Sequence, residues 1–167
     1  MIKKITTLYF SATGTTEKIV TGIAEQIAEN YGGKISINSI DFTLPEARQK
    51  TYSFDKDSLV IAGIPVYAGR VPNVLLKFLN TISGNEASAV AVVLYGNRDY
   101  DDALIEFKDI LESNGFKVLA GGAFIGEHSF STTLGAGRPD EHDMTVAAEF
   151  ASKIYDKTKT PDKNPAV

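Results

Sequence analysis

Residues 8–17 read Leu8-Tyr9-Phe10-Ser11-Ala12-Thr13-Gly14-Thr15-Thr16-Glu17. A short apolar run ends in one glycine and four hydroxyl residues, and a helical pattern follows at once. A strand that stops here leaves the first N–H groups of the next helix unpaired and aims the positive end of its dipole at the loop. Ser11, Thr13, Thr15 and Thr16 add hydroxyl donors, and Gly14 lets the backbone approach a ligand closely. Together with Ala12 they make a seat for a small anion, a phosphate by preference. No lysine or arginine stands in the loop, so the grip would come from oriented amides and hydroxyls rather than countercharge. A second reading needs no ligand: Ser and Thr also cap helices. The segment alone leaves both readings open.

Working outward, Ile5 to Phe10 reads as a strand. Thr15 to Asn30 carries Ile19, Ile23, Ile27 beside Val20, Ala24, Ala28, two adjacent rows at spacing four, which predicts a helix that Tyr31-Gly32-Gly33 ends. Lys34 to Ile40 alternates like an edge strand, and Asp41 to Lys56 is polar and irregular, with a short helix around Glu46. Ser58 to Ile64 and Ala87 to Tyr95 are continuous apolar runs, as in central parallel strands. Pro72 opens a helix with Val74, Leu75, Phe78 and Leu79 on one face. Tyr100 to Ser113 predicts another that buries Ala103, Leu104, Phe107 and Leu111. Phe116 to Ile125 is the last strand. A Gly-rich loop, Gly126 to Pro139, then precedes a helix with Val146, Ala147, Phe150, Ala151 and Ile154 inward. Five strands alternating with helices imply an α/β fold, a parallel sheet covered on both faces.

A length of 167 residues suits one domain with a substantial core, placed at residues 1–156, with 157–167 as a tail or linker stump. The net charge of −4 argues against nucleic acid, and no apolar stretch is long enough to span a bilayer. Met1-Ile2-Lys3-Lys4-Ile5 turns polar too soon for a secretory signal. The chain has no cysteine, which excludes disulfides, thiolate catalysis and Cys-bound zinc or iron–sulfur clusters within it and fits a reducing cytoplasm.

In an open α/β sheet, ligands bind beyond the C-terminal strand ends near the switch in strand order. Three loops arrive there: Ser11–Thr16, Pro65–Pro72 and Tyr95–Tyr100. Pro65-Val66-Tyr67-Ala68-Gly69-Arg70 offers an aromatic face beside a flexible peptide, and Tyr95-Gly96-Asn97-Arg98-Asp99-Tyr100 offers another. Each tyrosine alone would pass for an amphipathic residue at the rim of the core. Three such loops after three strands suit a planar phosphorylated ligand.

The Ser-Ala-Thr-Gly-Thr-Thr loop resembles the signature of the flavodoxin family, in which hydroxyl residues and one glycine bind the FMN phosphate. The resemblance runs from Ile2 to about Ile154. With Pro65 to Pro72 and Gly126-Glu127-His128-Ser129-Phe130, the chain is most similar to the flavodoxin module of bacterial and archaeal ferredoxin–flavodoxin fusion proteins. It implies a five-stranded sheet of order 2-1-3-4-5 and noncovalent FMN cycling through oxidised, semiquinone and reduced states. It also implies electron transfer with a redox protein partner such as an iron–sulfur, ferredoxin-like domain. In the fusions that cysteine-rich domain would begin near Asn164-Pro165-Ala166-Val167, so a chain cut short of it is expected.

The resemblance assigns Ser11, Thr13, Gly14, Thr15 and Thr16 to the phosphate, with threonine at 15 where many relatives have asparagine. It assigns Pro65 to Arg70 to one face of the ring, Tyr95 to Tyr100 to the other, and the His128 loop to ring access. The stacking tryptophan of many flavodoxins is missing, which leaves Tyr67 or Tyr100 for that task. A carbonyl in Ala68-Gly69 would accept from the N5 proton of the semiquinone, a turn that Gly69 makes inexpensive. Arg70 and Arg98 either face the pyrimidine edge or are solvated rim charges.

Competing patterns are weaker. His128 with Ser129, Ser131, Glu127 and Asp140 lacks the nucleophile elbow of a hydrolase. Asp140-Glu141-His142-Asp143 reads as a helix cap before it reads as a metal cluster. Gly135 to Asp140 lacks the third glycine of a dinucleotide fingerprint. A phosphoacceptor domain needs an aspartate where Ile64-Pro65 stands. Two alternatives to the carrier remain: an NAD(P)H-dependent FMN or quinone reductase, and a flavin-free interaction module on the same fold.

Overall fold

The computed structural model describes residues 1–96, 98–128, 131 and 133–160. Its elements are β1 (Lys4–Tyr9), α1 (Thr15–Asn30), β2 (Ser36–Asp41), a 3₁₀ turn (Pro45–Gln49), β3 (Ser58–Pro65), α2 (Asn73–Leu79), β4 (Ser88–Tyr95), α3 (Ala103–Ser113), β5 (Lys117–Ile125) and α4 (Glu141–Lys159). All strand pairs are parallel, in the order β2-β1-β3-β4-β5. The flavodoxin-like order expected from the resemblance is therefore the observed one.

Alternate side chains of the central strands go to opposite layers. Leu59 and Ile61 of β3 and Val90, Val92 and Leu94 of β4 pack with Ile19, Ile23 and Ile27 of α1 and with Ala147, Ala151 and Ile154 of α4. Val60, Ala62, Ile64, Ala89, Ala91 and Val93 pack instead with Leu75 and Leu79 of α2 and with Phe107 and Leu111 of α3. Burial on both faces explains why these strands are continuous apolar runs rather than alternating ones. Gly63 lets α1 close on the sheet, since a Cβ there would sit 2.3 Å from Val20 Cγ2.

Two helix faces are narrower than the periodicity suggests. Val74 is 62% exposed and Val146 41% exposed, while Leu104 is only half-buried. The inward stripe of α2 is Leu75, Phe78 and Leu79, and Val74 lies about 100° around the helix from Leu75. Val146 stands in the same relation to Ala147.

The start of α4 is tightly bound. Asp140 Oδ1 accepts from the Asp143 N–H at 3.0 Å, and Asp143 Oδ2 accepts from the Asp140 N–H at 2.9 Å, a reciprocal cap. Arg138 completes it by donating from Nε to Asp143 Oδ2 at 2.7 Å and from Nη2 to Oδ1. The guanidinium, and then the backbone amide of Asp140, hold the Asp143 carboxyl down at about 2, against an ordinary 3.8. Its folded pKa is depressed, so the stabilisation is complete above pH 4 and disappears as pH falls through 2. Asp143→Asn should lose about 2 kcal/mol at pH 7 and flatten this acid limb, as read from urea midpoints between pH 7 and pH 2.

The other end of α4 runs past residue 156 and is pinned as well. Tyr31 and Tyr155 meet edge to face at 4.8 Å, with Lys159 Nζ 4.7 and 4.8 Å from their centroids. The Tyr31 and Thr158 hydroxyls are 2.5 Å apart, and Lys157 Nζ donates to the Leu119 carbonyl at 2.8 Å.

Candidate functional site

β1, β3, β4 and β5 all end on one side of the sheet, so the loops that follow them share one pole. The first contains Gly14 at φ +83°, directly before α1. The N–H groups of Thr13, Gly14, Thr15 and Thr16 donate to no described residue. The Thr13 and Thr15 hydroxyls lie 3.4 Å apart beside them. Ser11 Oγ accepts the Glu17 N–H at 3.0 Å, which leaves its own O–H hydrogen to donate elsewhere. Ser11 caps a later amide of α1, and the earlier amides remain an array of donors.

Glu17, the acid of this first turn, accepts from the Tyr9 hydroxyl at 3.2 Å. Burial first, and Glu17 second, push the Tyr9 phenol up to about 12. Tyr9 therefore stays protonated and donates to the carboxylate of this first turn.

The second loop is a tight turn. Tyr67 N–H donates to Arg70 O at 3.0 Å and Arg70 N–H to Tyr67 O at 3.1 Å. Ala68 (φ +51°) and Gly69 (φ +74°) form its corner, both left-handed. The alanine accepts a conformation that costs an L-residue about 1 kcal/mol. A Cβ on Gly69 would fall 2.3 Å from Asp101 Oδ2, so this turn and the loop after β4 touch.

In the third loop, a Cβ on Gly96 would lie 2.6 Å from His128 Cδ2 and 3.0 Å from its Cα. Tyr100 packs edge to face on Tyr95 at 5.3 Å and is 37% exposed. The loop after β5 folds on itself: Glu127 N–H donates to Arg138 O at 3.1 Å, His128 N–H to Leu134 O at 3.0 Å, and Glu127 Oε1 accepts from Gly137 N–H at 2.7 Å.

These loops enclose a cavity of about 650 Å³. Of the predicted residues, Ala12, Thr13, Thr15, Thr16, Pro65, Val66, Tyr67, Ala68, Tyr95, Gly96, Arg98 and His128 line it. A neighbouring cavity of about 480 Å³ shares Val66, Ala68, Tyr95, Gly96, Arg98 and His128 and reaches Gly69. Ser11, Gly14, Arg70 and Tyr100 line neither, and Asn97 lies outside the described residues.

Arg70 is a rim charge. Its Nε donates to Glu106 Oε2 at 2.8 Å, the same oxygen that accepts the Val71 N–H at 3.0 Å. The ion pair raises the arginine pKa and lowers that of Glu106. Asp99, Gly126 and Glu127, from the loops assigned to the ring face and to ring access, also line the cavities, and so do Leu94 and Asp101, which lie outside the predicted loops. The position of Gly126 directly after β5 was the available signal for that loop.

An amide array, a glycine-lined slot and aromatic walls stand here at the strand-order switch, the place where open α/β sheets bind ligands. The model of a flavodoxin domain matches residues 6–127. The chain belongs to the flavodoxin family. No curated protein sequence matches it. Among solved structures it is similar to flavodoxin 2 of Bacillus cereus, at 15% identity over 93% of this chain and 99% of that one, with a TM-score of 0.64. A flavodoxin from the domain Archaea matches at 15% identity over 93% and 99%, with a TM-score of 0.62. An NADH:FMN oxidoreductase in its apo form matches at 15% over 92% and 88%, with a TM-score of 0.61. At such identities the likeness carries the flavodoxin fold. No described helix is long and apolar enough to cross a membrane.

Proposed function

We propose that this flavodoxin-family chain binds FMN noncovalently and acts as an electron carrier, exchanging electrons with a redox protein such as an iron–sulfur, ferredoxin-like one. The observation that carries the reading is the cavity of about 650 Å³ that begins at the unengaged amides of Thr13 to Thr16 and extends between the loops of Tyr67 and Gly96. Its volume is that of a small-molecule site. Amides of residues 13–16 and the hydroxyls beside them suit a phosphate, Gly96 and Gly126 keep the slot open, and Val66, Tyr67 and Leu94 offer apolar surface to a flat ring. FMN supplies one- and two-electron chemistry when bound, and the protein sets its potentials. Tyr67 would cover a ring face, and Asp99, Asp101 and Glu127 would disfavour added negative charge at the mouth.

The test is to reconstitute the chain with FMN and titrate it with a reductant under anaerobic conditions. Binding with flavin bands and two resolved one-electron steps supports a carrier. Failure to bind FMN refutes the reading. Rapid steady-state oxidation of NADH or NADPH would replace the carrier with a reductase.

Gly69→Val should narrow the gap between the two one-electron potentials by the equivalent of about tenfold in the equilibrium between them. A β-branched side chain opposes the positive φ and meets Asp101. An unchanged gap in the same titration would remove the Ala68-Gly69 turn from the mechanism.

A further inference from the structure

The irregular segment after β2 has hydrogen bonds that lead directly to the amide loop. Ser11 N–H donates to Thr43 Oγ1 at 2.9 Å. The Thr43 hydroxyl donates to Asp41 Oδ1 at 2.5 Å, and the Thr43 N–H donates to the same oxygen at 2.9 Å. A hydroxyl has one hydrogen, so with it committed to Asp41 the lone pairs of Thr43 are directed at Ser11. The carboxylate polarises that hydroxyl and strengthens it as an acceptor.

Arg48 holds the segment from behind. Its Nη1 donates to the carbonyls of Phe42 at 3.0 Å and Thr43 at 2.8 Å, and its guanidinium carbon stands 5.8 Å from the ring centroid of Phe10. Phe42 N–H donates to Tyr9 O at 2.9 Å, so the residues after β2 are joined to those leaving β1.

We propose that Asp41, Thr43 and Arg48 are positioning residues for phosphate recognition. They brace Ser11 so that the amides of Thr13 to Thr16 stand in one arrangement before a ligand arrives. This rests on reading that loop as the seat of the FMN phosphate. An anion held by neutral dipoles gains little from donors that must first be ordered, so a seat without a cation depends on preorganisation. The loop's own sequence works against order, since Gly14 adds backbone freedom. The brace supplies it from 32 residues away.

The experiment compares FMN with riboflavin, which lacks the phosphate, on the flavin-free protein and on Thr43→Val, Thr43→Ser and Arg48→Met. Thr43→Val keeps the shape and removes the hydroxyl. It should weaken FMN about tenfold and leave riboflavin unchanged, with Thr43→Ser restoring FMN affinity. Arg48→Met should give the same selective loss without touching the hydroxyl, and it stands in if Thr43→Val does not fold. Amide hydrogen exchange at Ser11 and Glu17, the bonded amides that flank the loop, should accelerate in both weakened variants of the flavin-free protein. Equal losses for the two flavins, or unchanged FMN affinity and exchange, would overturn the brace. If the unaltered protein binds no FMN, the cofactor reading fails, and exchange alone decides the brace.

Discussion

Gly96→Val should lower the affinity for FMN by about a hundredfold while the fold survives. The first atom of any side chain at 96 would lie 2.6 Å from His128 Cδ2 and 3.0 Å from its Cα. The imidazole can rotate, but the Cα belongs to a loop fixed by Gly126 N–H to Tyr95 O and by His128 N–H to Leu134 O, both at 3.0 Å. Relief requires moving backbone that lines both cavities, and forced backbone shifts cost about 1–3 kcal/mol. β4 ends at Tyr95, so the sheet itself is spared. Flavin fluorescence titration reads the affinity, and a urea midpoint near that of the unaltered protein shows that the fold is retained. Undiminished binding would mean that the cavity around Gly96 is not where FMN sits.

The largest effect on stability is expected from Phe42→Ala. Phe42 is wholly buried and packs on Phe78 at 4.7 Å and on Phe10 at 6.3 Å. Removing its ring loses the transfer free energy and leaves a cavity that the sheet cannot collapse to fill. The cost should be about 3–5 kcal/mol, or roughly 10–15 °C in Tm for a domain of this size. Phe42→Leu, which refills much of the space, should cost about 1–2 kcal/mol. Differential scanning calorimetry on the series checks both values. A loss below about 1 kcal/mol for alanine would show that Phe42 is not packed against Phe10 and Phe78 in the core.

The elements that were legible in the sequence have a local cause. β3 and β4 read as central strands because burial on both faces forces continuous apolar runs. α1 read cleanly because Gly32 and Gly33 follow its last turn. Val74 and Val146 did not, because periodicity marks the centre of an apolar stripe and not its edge. At the site, glycine and aromatic residues clustered after successive strands pointed to the three loops. Arg70 could not be assigned from its neighbours, since its partner Glu106 is 36 residues away. Thr43 was invisible for the same reason, and so was Asp101, whose carboxylate packs against the turn at Gly69, 32 residues earlier in the chain.

The pinned end of α4 gives the molecule a handle. Nineteen helical residues at about 1.5 Å each put Lys159 about 28 Å from the start of that helix, which borders the cavity loops. The two tyrosines and Lys159 hold this far pole rigidly. A linkage to an electrode or bead made there would present the chain with its cavity facing away from the support. Any tether from that pole must then travel the length of the protein before it can obstruct the mouth.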